Sequence, residues 1–183
     1  MSARGLTGSL VPVRRSRSRG SLTTGRKAIY PGQGPCRIGQ VVKRVVGDTV
    51  IMFYHLTLLD EYHGDLFVPV EKARAIGVRS LIKRSEVPGL LAHLRKTVKT
   101  SDNWKQRAAD NLKRFNSGSP YDLAEVVASL TASGGTRSLT FDESGTLDKA
   151  RRLLICEISE VMGETRTAVE EQVNQALRVP KRK

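Results

Sequence analysis

The spacing of apolar residues changes once along this chain, between residues 82 and 86, and that change limits the architecture more than any other feature. From Tyr30 to Ile82, β-branched and aromatic residues come in short runs cut by turn signals. YPGQGPCRIGQVVKRVV opens on Gly/Pro turns, and Gly47-Asp48 separates it from TVIMFYHLTLL, the two-residue pattern of a hairpin. Asp60 to Asp65 reads as a second turn, followed by LFVPV, a strand whose Pro69 belongs on an edge or at a strand end. EKARAIG is a helical turn closed by Gly77, and VRSLI a last short strand. Short strands and tight turns over about fifty residues predict a small SH3-like or Tudor-like barrel.

From Glu86 onward the period is helical. Ser101 or Asp102 is placed to cap a helix carrying Trp104, Ala108, Leu112 and Phe115 and ending at Gly118. Ser119-Pro120 starts the next, with Leu123, Val126, Val127 and Leu130 on one face and Gly134-Gly135 as its stop. Thr140 and Glu143 form a capping box for a helix lined by Leu147, Ala150, Leu154, Ile158 and Val161 up to Gly163. A last helix runs from about Thr167 with Glu170 in its cap, through Val169, Val173, Ala176 and Leu177. The fold class expected is α+β, an N-terminal small β-barrel followed by a compact C-terminal all-α domain. The boundaries expected are a disordered basic tail over 1–28, the barrel over 29–82, the helical domain over 83–179 and a basic end over 180–183.

Charge narrows the function. Lys and Arg total 31 against 18 Asp and Glu, a net charge of +13, which draws a protein towards nucleic acid before any other partner. Residues 1–29 carry seven cations and no acid, residues 30–82 six cations and five acids, and residues 83–183 eighteen cations and thirteen acids. The near-neutral middle suits a protein partner, while the tail and the last hundred residues suit nucleic acid. Cys36 and Cys156 make neither a disulfide framework nor a zinc site, and His55, His63 and His93 lack metal-ligand spacing. No apolar run reaches the roughly 18 residues of a membrane span. Asp60 and Glu61 are adjacent in a turn and do not face each other across a pocket. The glycines of GQGPCRIG precede no helix that could cradle phosphate, so nothing points to catalysis.

Two readings of Trp104 remain open at this stage. It fits the helix stripe as a core residue, and it also stands in the first turn among Lys99, Lys105, Arg107 and Arg114, as a minor-groove wedge would. Arg107 and Arg114 share a helix face, and so do Lys149 and Arg152, although Arg151 and Arg152 are placed to pair with Asp148 and Glu157. Arg44 precedes the hairpin turn as an exposed strand residue. Phe53, Tyr54, Tyr62 and Phe67 read as core and strand residues.

YPGQGPCRIGQVV and LFVPVEKARAIGVRSLI together resemble the RNA-polymerase-interacting domain of CarD-like regulators, a module also found in the transcription-repair coupling factor. NWKQRAADNLKRFNSGSPYDLAEVVASLT followed by LDKARRLLICEISEVMG resembles the helical DNA-binding domain of the same family, so the resemblance covers about residues 29–177. It implies that Trp104 wedges into the minor groove at the upstream edge of the transcription bubble. It implies that Arg107 and Lys149, flanked by Arg114 and Arg152, contact promoter DNA, and that Arg44, with Val46 and Phe67, meets the polymerase β subunit. Gln106 and Ala109 stand where relatives often carry basic residues, and Phe67 where some carry an arginine. The expected function is a transcription regulator that stabilises the open complex, acting as a monomer, without catalysis, cofactor or membrane, in the cytoplasm and on the nucleoid through polymerase. The alternative is a structural rRNA-binding protein, which the near-neutral barrel opposes.

Overall fold

The computed structural model describes residues 22–59, 63–96 and 103–178. Its first half is one antiparallel sheet of β1 (Lys27–Tyr30), β2 (Gly34–Val46), β3 (Thr49–Leu58), β4 (Asp65–Pro69) and β5 (Arg79–Ser80), ordered β4-β3-β2-β1-β5. The Gly47-Asp48 turn joins β2 to β3 with Val46 opposite Thr49, as the hairpin signal implies. Pro69 ends edge strand β4, where a residue without an N–H leaves no ladder bond unmade. The turn residues Asp60, Glu61 and Tyr62 lie outside the described residues. Between β4 and β5, α1 (Ala73–Ile76) is closed by Gly77 in the left-handed region.

One face of the sheet buries Ala28, Cys36, Ile38, Leu56, Leu58 and Val68, with Ala73 and Val78 closing over them. Inside this cluster, burial pushes the Cys36 thiol up to about 11. The β2–β3 register breaks between Ile38 and Val41, a bulge that bends the hairpin. Beyond it the hairpin runs past the core, and the cross-strand pair Val45 and Val50 is exposed. The chain enters this sheet earlier than Ile29. Leu22 packs on the core, Tyr54 Oη donates to the Leu22 carbonyl at 3.5 Å, and Gly25 N–H donates to the Ile38 carbonyl at 2.7 Å. Those ties are mostly backbone, so the pattern of apolar side chains does not show them.

After a 3-10 turn at Arg84–Glu86 come α2 (Val87–His93), α3 (Trp104–Asn116), α4 (Pro120–Gly134), α5 (Phe141–Met162) and α6 (Arg166–Arg178). Ser119 accepts from Asp122 N–H at the start of α4, with Pro120 at the first helical position. Thr140 and Glu143 make the expected capping box of α5, and Gly163 ends that helix. Two boundaries differ from expectation. Asn103 caps α3 by accepting from Lys105 N–H, while Ser101 and Asp102 lie outside the described residues. Helix α6 starts one residue early, at Arg166, with Thr165 Oγ1 accepting from Ala168 N–H. The helical core is built by Val87, Leu90 and Leu94 of the α2 region, the expected faces of α4 and α5, and Val169, Val173 and Ala176 of α6.

Sheet and helices meet along a tight seam. Gly77 (φ +96°) and Gly118 (φ +77°) both lie in the left-handed region, and a β-carbon on either would come within 3.0–3.2 Å of Pro31 Cγ. Beside them Arg79 of β5 forms a two-pronged ion pair with Glu157 of α5, at 2.6 and 2.8 Å. Glu157 Oε1 also accepts from Ile82 N–H at 3.2 Å, and Arg79 Nε donates to the Gly118 carbonyl at 2.5 Å. Lys27 and Glu160 pair across the same seam at 2.5 Å, and Arg166 donates to the Leu59 carbonyl at 3.2 Å.

Candidate nucleic-acid and polymerase interfaces

Helix α3 does not bury the stripe that its apolar residues suggest. Trp104 is 65% exposed and Leu112 60%, and Ala108 between them is exposed as well. The helix turns instead on Asn111, with Arg107, Asp110, Arg114 and Phe115 half-buried beside it. The reason is local. Arg114 Nε pairs with Glu125 of α4 at 3.1 Å, and Phe115 packs on the helical core, so the opposite face is left to solvent. The core reading of Trp104 is therefore overturned. Its side chain stands at the first position of a capped helix, with Lys105 Nζ 5.7 Å from the centre of its ring.

A cavity of about 220 Å³ separates Ala108 and Leu112 from Asp142, Glu143 and Thr146, so α3 faces the first turns of α5. One and nearly two turns beyond Thr146 stand Lys149 and Arg152, both exposed and without an ion pair among the described residues. Their neighbours are not the expected ones. Arg151 donates to Asn174 at 2.7 Å and reaches Glu170 at 3.4 Å, while Glu157 is held by Arg79. Among the expected DNA contacts, Arg114 is already engaged, because Glu125 binds it while also meeting His93 at 3.1 Å. Arg107 is half-buried and has a partner of its own. Lys99, the tail before residue 22 and the basic end at 180–183 lie outside the described residues.

Phe141 was not singled out by its sequence, yet it is 94% exposed at the first position of α5. The signal available was its place just after a capping residue, outside the stripe that starts at Leu147. Two carboxylates follow it. Glu143 is gripped by Arg137 at 2.6 and 2.9 Å, and those hydrogen bonds, with help from Thr140, hold its carboxyl down at about 2.

On the sheet, Arg44 and Phe67 come together. The Arg44 guanidinium lies 4.0 Å from the centre of the Phe67 ring, and Phe67 stacks on His55 with centroids 5.0 Å apart and planes 14° apart. Phe67, read from sequence as a core or strand aromatic, sits on the outer face and is 41% exposed. His55 Nε2 meets Asp65 at 2.8 Å, and Thr57 Oγ1 donates to the same carboxylate at 2.9 Å. The Thr57 bond first and the His55 bond second hold Asp65 below the usual carboxylate range. Val46 is in β2 opposite Thr49, and its side chain lies outside the described residues.

Residues 86–174 match the family described as CarD, C-terminal domain. The 72-residue N-terminal domain of Myxococcus xanthus CarD, solved in solution, is 30% identical over 34% of this chain and 83% of that domain, with a TM-score of 0.29. The chain belongs to the CarD-like proteins. The likeness to the Myxococcus xanthus domain lies in shared residues, and the family match covers the helical half. CarD-like proteins are non-enzymatic transcription factors, and membership makes this chain an RNA polymerase-interacting transcription regulator. No helix among the described residues is long and apolar enough to cross a membrane.

Proposed function

We propose that this CarD-like protein grips the RNA polymerase β subunit with the outer face of its sheet and promoter DNA with its helical domain, and so prolongs the open complex. The observation that carries the proposal is the exposure of Trp104, a large flat apolar ring presented at the start of α3 beside cations. Exposing such a ring to water is unfavourable unless a partner covers it. Wedging it into intact duplex costs a few kcal/mol of unstacking per step. At the upstream edge of the bubble, melting has already met much of that cost, so the open complex binds the protein better than the closed one. Only such a difference in affinity shifts the population, and each tenfold preference is worth about 1.4 kcal/mol.

Lys149 and Arg152 supply positive charge for backbone phosphate, and Arg107 flanks the wedge. Arg114, tied to Glu125, orients α3 more than it touches DNA. Arg44, its guanidinium over the Phe67 ring, offers the β subunit a cation backed by an aromatic base, with Val46 on the same strand. The division of labour follows the two halves of the chain, residues 29–82 for polymerase and 83–179 for DNA, and the protein acts as a monomer. The experiment is the decay of open complexes challenged with competitor, with and without the protein, together with capture of the β subunit. Slower decay and specific capture are expected; a protein that leaves the decay unchanged does not have this function.

A further inference from the structure

The seam between sheet and helices holds an ionised pair that neither surface uses. Glu157 is 2% exposed, in the last third of α5, and its carboxylate accepts from two Arg79 nitrogens and the Ile82 N–H. Arg79 in turn reaches the Gly118 carbonyl at the α3–α4 junction. One side chain of β5 thus ties the sheet to the helix that carries Lys149 and Arg152 and to the loop that ends the Trp104 helix. A charge taken out of water is unfavourable unless it is fully paired, and an apolar pair of the same volume would pack as well. What an apolar pair lacks is direction, since two parallel N–H···O bonds fix the orientation of guanidinium and carboxylate together.

We propose that the Arg79–Glu157 pair couples the polymerase grip to the DNA grip, by holding the sheet and the helical bundle as one rigid body at a fixed angle. The inference rests on the function proposed above and goes one step further, to how two separate contacts act together. Two linked contacts reinforce each other only when the link lets both engage at once. A rigid link set at the right angle presents the second contact at a far higher effective concentration than a loose one. Arg79 and Glu157 are therefore positioning residues. They touch neither partner, and their loss should leave each grip intact while the joint effect on the open complex falls.

The test uses the full chain with Arg79→Met and Glu157→Leu together, a change that keeps volume and leaves no unpaired buried charge. Glu157→Gln, which retains hydrogen-bonding atoms, is the milder companion. Melting, binding to core polymerase and binding to duplex DNA are measured beside open-complex lifetime. The expected result is near-normal melting, binding constants within about twofold, and a lifetime shortened about tenfold, with Glu157→Gln in between. A second arm supplies the missing link by other means. Lys27→Cys and Glu160→Cys, placed in the double variant at the neighbouring ion pair, are joined with a short bis-maleimide. The native thiols Cys36 and Cys156 are both buried and should not compete. Cross-linking should restore the lifetime, which a general loss of stability would not predict. If the lifetime of the double variant equals that of the wild type, or if it falls only in step with one of the binding constants, the coupling role is refuted. If the wild-type protein itself has no effect on lifetime, the functional proposal fails instead, and the two failures are told apart by that control.

Discussion

Trp104→Ala separates a wedge from a packing residue, and the structure sets the sizes. A tryptophan has at most about 250 Å² to bury, and 65% of this one is exposed. About a third of the ring is covered, which at about 25 cal/mol per Å² is worth roughly 2 kcal/mol. Alanine is the better helix former by up to about 0.7 kcal/mol, so the net loss should be near 1.5 kcal/mol. For a chain of this size that is a fall in Tm of about 3–6 °C. A core tryptophan would cost about 3–5 kcal/mol and melt the domain. On DNA, replacing a stacked aromatic by alanine costs about 1–3 kcal/mol per base, so the open complex should decay about tenfold faster. Thermal unfolding and competitor-challenged decay, run on the same preparation, give both numbers. Phenylalanine should rescue part of the lifetime and lysine none. A variant that folds and stabilises open complexes as well as the parent refutes the wedge.

Arg44→Glu reverses an exposed charge that stacks on Phe67; stability should stay within about 0.5 kcal/mol while β-subunit capture weakens at least about tenfold. Deleting residues 1–21 removes Arg4, Arg14, Arg15, Arg17 and Arg19, and the salt dependence of DNA binding should flatten by about 0.9 for each phosphate that the tail no longer neutralises. An unchanged slope takes the tail off the DNA, whereas deletion through residue 27 should also lower Tm, because Leu22 packs on the sheet core. Glu143, whose folded carboxyl is held at about 2 against an ordinary 4.5, contributes stability that is fully present above pH 4.5 and is lost as pH falls towards 2. Glu143→Gln should flatten that acid limb, and Thr140→Ala should cost about 1 kcal/mol at neutral pH; an acid limb unchanged in Glu143→Gln would remove the carboxylate from the account.

Much of the fold is legible because its signals are local. Gly47-Asp48, Ser119-Pro120, the Thr140/Glu143 box and the glycines at 77 and 163 each act within a few residues of themselves, and each lies where its turn or cap is found. The 3-10 turn at Arg84–Glu86 and α2 were not foreseen, since VPGLLAH is too short to show a period. The misreadings arise where one element's face is chosen by another. Periodicity locates the apolar stripe of α3, but Glu125 and the helical core that receives Phe115 decide which side turns inward, and both lie outside the helix. Glu157 is the same case. Composition makes it a neighbour for Arg152 on the same helix, whereas its partner comes from a strand 78 positions away. The meeting of Arg44 with Phe67 likewise depends on strand register across three strands, which no single run of sequence records.

Pro31, Gly77 and Gly118 meet where backbone nearly touches backbone, with the Gly77 carbonyl 3.1 Å from where a Gly118 β-carbon would stand. A joint of that kind has almost no tolerance. A methyl group at either glycine would act as a shim, opening the hinge line by a few tenths of an ångström and tilting the helical bundle as a whole. Over the length of α5, about 33 Å for its 22 residues, a small angular error at the seam grows with distance from it. Inherited changes at these glycines would therefore be felt at the far end of the molecule, on a surface whose own residues were untouched.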